Sequence, residues 1–96
     1  CGPAIVSTDL VDDPANLAIT CDVNGERRQT GNTGQLIFDV PTLIAYLSSI
    51  LTLEVGDLIF TGTPEGIGAS SGECLAAGEV IETTIEGLGK LRNVCI

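Results

Sequence analysis

Leu17, Ile19, Cys21 and Val23 alternate with Ala18, Thr20, Asp22 and Asn24, and the stretch closes on Asn24-Gly25. Period-two alternation sends every second side chain to one face of a half-buried strand, and Asn-Gly supplies the two positive-φ positions of a type I′ turn. Together they predict a β-hairpin in which Glu26 to Gln29 run back antiparallel, with Arg27 and Arg28 near the sheet edge. A hairpin with one apolar face needs cover from the rest of the chain.

Asp39 is placed to cap a helix with Pro41 in its first turn, where a missing N–H is harmless. Val40, Leu43, Ile44, Leu47, Ile50 and Leu51 then follow the i, i+3, i+4, i+7 stripe, which predicts one helix near 41–51 whose apolar side docks on a sheet. Val80 to Glu86 and Lys90 to Ile96 read as strands joined by Gly87-Leu88-Gly89, with Ile81, Thr83 and Ile85 on one face. Ala4-Ile5-Val6 and Leu58-Ile59-Phe60 read as two further short strands, and Gly31 to Gly34 as a loop. Leu53 to Ile59 weakly echoes Leu75 to Ile81, each a leucine, a Gly-acid turn and a strand start. The sum is an α+β fold, mostly β, a sheet or roll with hairpins and one packed helix.

Among the 96 residues 44% are hydrophobic and 18% charged, which calls for a packed core rather than disorder. With Phe38, Phe60 and Tyr46 the only aromatics and no Met, Trp or His, that core is built from Ile, Leu and Val. The missing histidine also removes Ser-His-Asp and Cys-His nucleophile systems and His-ligated zinc. Thirteen acids against four bases (Arg27, Arg28, Lys90, Arg92) give −9, so neither nucleic acid nor an anionic membrane surface is a fitting partner. No apolar run approaches the roughly 20 residues of a spanning helix. The chain opens on Cys1-Gly2-Pro3, which reads as a cut or processed start with no signal peptide. Cys1, Cys21, Cys74 and Cys95 are widely spread with no C-x-x-C pair, which reads as free, partly buried thiols in a reducing compartment, the cytoplasm.

Thr61 to Gly72 holds Gly62, Gly66, Gly68 and Gly72 with Pro64, a loop composition that often borders a site. It lacks the Gly-Lys-Ser/Thr of a phosphate loop, and Ser71 stands where a dinucleotide fingerprint needs its third glycine. Asp9, Asp12 and Asp13 offer oxygens to a hard cation, but without EF-hand spacing a solvated Asp-Pro turn is the better reading. Glu65, Glu73, Glu79, Glu82 and Glu86 read as surface charge. What remains is Thr61-Gly62-Thr63-Pro64 at the end of an apolar run, where glycine permits close approach and Thr63 offers a hydroxyl and an N–H to an anionic oxygen.

Taken in order, ten segments strongly resemble the carboxy-terminal part of the fumarylacetoacetate hydrolase family. They are Gly2-Pro3-Ala4-Ile5-Val6, Asp13-Pro14, Val23-Asn24-Gly25-Glu26, Arg28-Gln29, Gly31-Asn32-Thr33, Ile37-Phe38-Asp39-Val40-Pro41, Leu43-Ile44-Ala45-Tyr46-Leu47-Ser48, Leu53-Glu54-Val55-Gly56-Asp57, Thr61-Gly62-Thr63-Pro64 with Gly66-Ile67-Gly68, and Ile85-Glu86-Gly87-Leu88-Gly89 with Leu91-Arg92-Asn93. The resemblance implies a mixed β-roll and a metal-dependent enzyme that hydrolyses, decarboxylates or isomerises small 2-oxo or β-diketo acids, some of them in aromatic catabolism. Magnesium, manganese or calcium polarises the substrate's enolate oxygens in such enzymes.

By the same resemblance the metal ligands, a Glu-x-Glu pair with further acids and a lysine, precede the first residue of this chain. No residue here is assigned as catalytic or as a metal ligand. Thr63 is expected to bind the substrate carboxylate, with Gly62 allowing the approach, and Asn32 and Thr33 to lie on the active-site side. Residues 1–96 are then one partial domain, inactive alone, in a parent enzyme expected to be a cytoplasmic homodimer acting on a small oxo acid. The rival reading is a stand-alone acidic β-rich binding or dimerisation module without catalysis.

Overall fold

A computed structural model describes residue 2, residues 4–68 and residues 72–96. Cys1, Pro3 and Ser71 lie outside them. Four strands form one antiparallel sheet: β1 (Ala18–Val23), β2 (Glu26–Asn32), β3 (Val80–Ile85) and β4 (Gly89–Val94), in the order β2-β1-β3-β4. A helix, α1 (Val40–Ser48), lies in the long connection between the two hairpins, and 3-10 turns cover Thr8–Leu10 and Thr33–Gln35. The fold is α+β and mostly β, as the residue pattern predicts.

The first hairpin forms where Asn24-Gly25 places it, with φ of 51° and 82° at the two turn residues. Asn24 also ties this turn to the second hairpin: its N–H donates to the Val80 carbonyl, its Oδ1 accepts from the Val80 N–H, and its Nδ2 donates to Glu79. Pairing runs Val23↔Glu26 and Asp22↔Arg27, then jumps to Cys21↔Gln29. Arg28 is therefore an extra residue in β2, a β-bulge, and every position beyond it is displaced by one from an unbroken ladder. β2 also runs three residues past Gln29, so Gly31 and Asn32 belong to the strand and not to the loop expected there.

Cross-strand partners put Ile19, Cys21 and Val23 on the same face as Ile85, Thr83 and Ile81. The opposite face carries Asp22, Glu82, Arg92 and Lys90, with ion pairs Asp22–Arg27 and Glu82–Lys90. Cover over the apolar face is thin: among the described residues only Val23 is buried. On α1 the Asp39 carboxylate caps the Thr42 N–H at 2.9 Å as expected, yet the stripe is half-buried only at Leu43 and Leu47, while Ile44, Ile50 and Leu51 stay exposed.

Two expected strands do not form. Ala4-Ile5-Val6 and Leu58-Ile59-Phe60 have no ladder partner, and Ile5 and Phe60 are among the most exposed apolar residues. An apolar run becomes a strand only where a neighbour takes its backbone hydrogen bonds, and no described strand runs beside either segment. The echo between Leu53–Ile59 and Leu75–Ile81 is a repeated turn. Asp57 and Glu79 each donate their N–H to the carbonyl three residues back and take that residue's N–H on their own carboxylate, with Gly56 and Gly78 at φ of 102° and 89°. Only the second copy leads into a strand.

Candidate functional site

An open cleft of about 620 Å³ lies between the end of β2, the 3-10 turn that follows it, α1 and the segment Thr61–Glu65. Its walls include all four sequence-derived site residues, Asn32, Thr33, Gly62 and Thr63, with Ile19, Leu36, Phe38 and Leu43 supplying apolar surface. The size suits a small ligand, and the wall is mostly apolar with a few convergent polar groups.

Three contacts hold the 61–66 segment against β2. Pro64 packs over Gly31, where an added Cβ would come within 2.7 Å of the proline ring. Gly66 approaches the Arg28 carbonyl at the bulge so closely that no Cβ fits. The Gln29 side-chain nitrogen donates to Thr63 Oγ1 at 3.0 Å, to the Pro64 carbonyl at 2.9 Å and to the Glu65 carbonyl at 3.3 Å. Farther along, Arg28 pairs with Glu73 at 2.6 Å. Gly62 adopts φ of 101°, and nothing within 4 Å would meet a Cβ there, so backbone conformation is what calls for glycine at this position.

The polar groups of the cleft differ in how far they are already engaged. Asn32 accepts the Gly34 N–H on Oδ1 and donates from Nδ2 to Asn16, while its own N–H donates to Gln35 Oε1 in a capping box. Thr33 Oγ1 accepts the Leu17 N–H, and the Thr33 N–H returns a bond to the Leu17 carbonyl. Both residues are thus committed to holding the turn beside β1. Thr63 is less committed: its hydroxyl oxygen accepts from Gln29, and among the described residues neither its O–H nor its N–H has a protein acceptor, while the Thr30 and Thr61 side chains in the same lining make no hydrogen bond. Two donors facing open space suit an anionic oxygen.

Several of the remaining acidic side chains have local partners. Glu73 pairs with Arg28, Glu82 with Lys90, Glu86 accepts the Ala18 N–H, and Asp13 accepts the Ala15 N–H in an Asx turn. Among the described residues no three Asp, Glu or Cys side chains converge on a point, which removes the cation reading of Asp9, Asp12 and Asp13. Glu65 is the cleft's one carboxylate, so its lining does not by itself fit a divalent ion. Cys21 and Cys95 are half-buried free thiols as expected, whereas Cys74 is exposed. No helix among the described residues is long and apolar enough to cross a membrane.

Gln29, which ties the 63–65 segment to β2, has no place among the site residues expected from the sequence. An unbroken hairpin register would set Arg28 opposite Cys21; the bulge sets Gln29 there instead, on the face that carries the loop. Its one signal is its place in the Arg28-Gln29 segment of the resemblance.

Fold and cleft define a β-rich domain that carries a Thr-Gly-Thr-Pro turn beside an antiparallel sheet. Residues 1–96 match the family described as "Fumarylacetoacetate (FAA) hydrolase C-terminal", and the chain belongs to that family. It is 44% identical over 94 residues to the mitochondrial oxaloacetate tautomerase of Xenopus laevis, covering 96% of this chain and 30% of that protein. It is 46% identical over 92 residues to the 4-hydroxyphenylacetate degradation bifunctional isomerase/decarboxylase of Salmonella dublin, covering 96% of this chain and 20% of that one. Maleylpyruvate hydrolase of Sphingobium sp. SYK-6 superposes with a TM-score of 0.90 at 38% identity, over 99% of this chain and 34% of that one. The same hydrolase has been solved with manganese(II) and pyruvate. The chain spans about a third or less of the length of these relatives.

Proposed function

We propose that the protein carrying this chain is an enzyme that cleaves, decarboxylates or isomerises a small 2-oxo or β-diketo acid, and that residues 1–96 are the carboxy-terminal portion of its catalytic domain. Hydrolase, tautomerase and isomerase/decarboxylase relatives support the range of reactions. The observation that carries the reading is Thr63, whose O–H and N–H both lack a protein acceptor among the described residues while Asn32, Thr33 and Gln35 brace the opposite wall. Thr63 binds the substrate carboxylate, and the φ of Gly62 turns the backbone so that the Thr63 N–H can join the hydroxyl. Asn32 and Thr33 hold the opposite wall.

A divalent ion, magnesium or manganese, supplies Lewis-acid stabilisation of an enolate in this reading, and its ligands lie outside this chain. The 96-residue chain is therefore inactive alone, and the parent works as a homodimer. The stand-alone module is the weaker reading, because a domain of this mass is expected to cover its sheet better than burial of Val23 alone.

Thr63→Val in the full-length protein is the test. It keeps the shape and removes the hydroxyl, so KM for an oxo acid such as oxaloacetate rises about tenfold or more, the range for losing a hydrogen bond to a charged group, with a smaller change in kcat. Unchanged KM would take Thr63 out of the site.

A further inference from the structure

Resting on the reading of Thr63 as the carboxylate ligand, a further role falls to Gln29. Its terminal nitrogen faces three oxygens, Thr63 Oγ1 at 3.0 Å, the Pro64 carbonyl at 2.9 Å and the Glu65 carbonyl at 3.3 Å. Backbone carbonyls only accept, so the amide end that faces them is the NH2 group, and the orientation of the side chain is fixed by chemistry. An amide NH2 has no lone pair to offer. The Thr63 oxygen must therefore be the acceptor in its bond with Gln29, and its hydrogen must point elsewhere, where no acceptor among the described residues takes it.

We propose that Gln29 is a positioning residue that sets the polarity of the Thr63 hydroxyl, holding it as a donor toward the ligand while pinning the loop through the Pro64 and Glu65 carbonyls. A hydroxyl free to rotate presents its lone pairs to an incoming carboxylate part of the time; one whose oxygen already accepts from Gln29 is turned in advance. Only a donor of this length serves. Glutamate at position 29 would accept the Thr63 hydrogen at neutral pH, turning the hydroxyl's lone pairs toward the anion, and would face two carbonyls with a negative charge.

The experiment measures pyruvate affinity by titration calorimetry on the full-length, manganese-loaded protein, comparing wild type with Thr63→Val, Gln29→Met, Gln29→Glu and the double variant Thr63→Val/Gln29→Met. Thr63→Val is expected to weaken binding about tenfold or more, the range for losing a hydrogen bond to an ionic ligand. Gln29→Met is expected to weaken it about three- to tenfold, and the double variant to lose less than the product of the two single losses, since part of what Gln29 does runs through the hydroxyl already removed. Gln29→Glu should bind worse than Gln29→Met at pH 7 and recover relative to it as pH falls toward the glutamate range near 4.3, where a protonated carboxyl again donates. Protonation also relieves the charge facing the Pro64 and Glu65 carbonyls, so the recovery tests the need for a donor at position 29 and the double variant tests its action through the Thr63 hydroxyl. Wild-type affinity in Gln29→Met, or fold-losses that multiply in the double variant, would overturn the proposal while leaving Thr63 in the site. Wild-type affinity in Thr63→Val would instead overturn the carboxylate reading, and the role of Gln29 with it.

Discussion

Gly66 answers to two constraints that act independently. Its φ of 94° is a conformation that costs a non-glycine residue roughly 1–2 kcal/mol, and a Cβ there would also run into the Arg28 carbonyl. Gly62 answers to the first alone, since nothing lies within 4 Å of its would-be Cβ. Gly62→Ala should therefore open the 61–66 segment about five- to thirtyfold more often, the population change that 1–2 kcal/mol produces, and Gly66→Ala should open it further. Limited proteolysis of the full-length protein checks this: cleavage between residues 58 and 68 should be faster in Gly62→Ala and fastest in Gly66→Ala. Equal rates in the two variants would mean that the Arg28 carbonyl imposes nothing. At this scale the sequence picks out the Thr61–Pro64 segment that lines the cleft, because a Thr-Gly-Thr-Pro turn is readable from residue types. Gln29 is not readable, since its position opposite Cys21 depends on a one-residue bulge that leaves no mark in the alternation of β1.

Among the elements, α1 carries a charge whose titration can be followed. The Thr42 side chain, and after it the Thr42 backbone N–H, hydrogen-bonds the Asp39 carboxylate and holds its pKa below the ordinary value of 3.8. A pKa lowered on folding contributes stability that is fully present above the unfolded value and is lost as pH falls through the folded one. Wild type should thus lose a part of its thermal stability below about pH 4 that Asp39→Asn, whose neutral amide still offers a capping oxygen, does not lose. Melting temperatures from pH 5 down to pH 2 read the difference, and parallel curves for the two proteins would sink it. The cap, the Pro41 position and the Asn24-Gly25 turn were all legible because each is decided within four residues. Ala4-Ile5-Val6 and Leu58-Ile59-Phe60 carry equally good local patterns and stay out of the sheet, because a strand also needs a neighbour that no local pattern specifies.

For the whole molecule, surface area is the quantity that decides between a self-sufficient module and a part of something larger. A monomer of 9.9 kDa that packs like an ordinary domain exposes about 5,200 Å², whereas this chain exposes 7350 Å². Its radius of gyration, 15.1 Å, likewise exceeds the roughly 12.5 Å of a compact domain of this length. The excess area is of the size one partner contributes to a large obligate interface. It is also apolar in the right places: Ile44, Ile50 and Leu51 on and just beyond α1, Leu58 and Phe60 before the site loop, and Ile37 and Phe38 beside the cleft are all exposed. Charge does not replace the missing cover, because Arg27, Arg28 and Lys90 form surface ion pairs, each worth at most about 1 kcal/mol. Expressed alone, residues 1–96 should bind the dye ANS, elute as a dimer or larger species, and melt without a sharp transition. In the partial-domain reading the rest of the protein covers these faces, so the full-length protein should leave ANS dark and melt in a sharp transition. A monomeric 96-residue chain that unfolds in one cooperative step and leaves ANS dark would show that this sheet and helix suffice as they stand, and the module reading would then displace the partial-domain one.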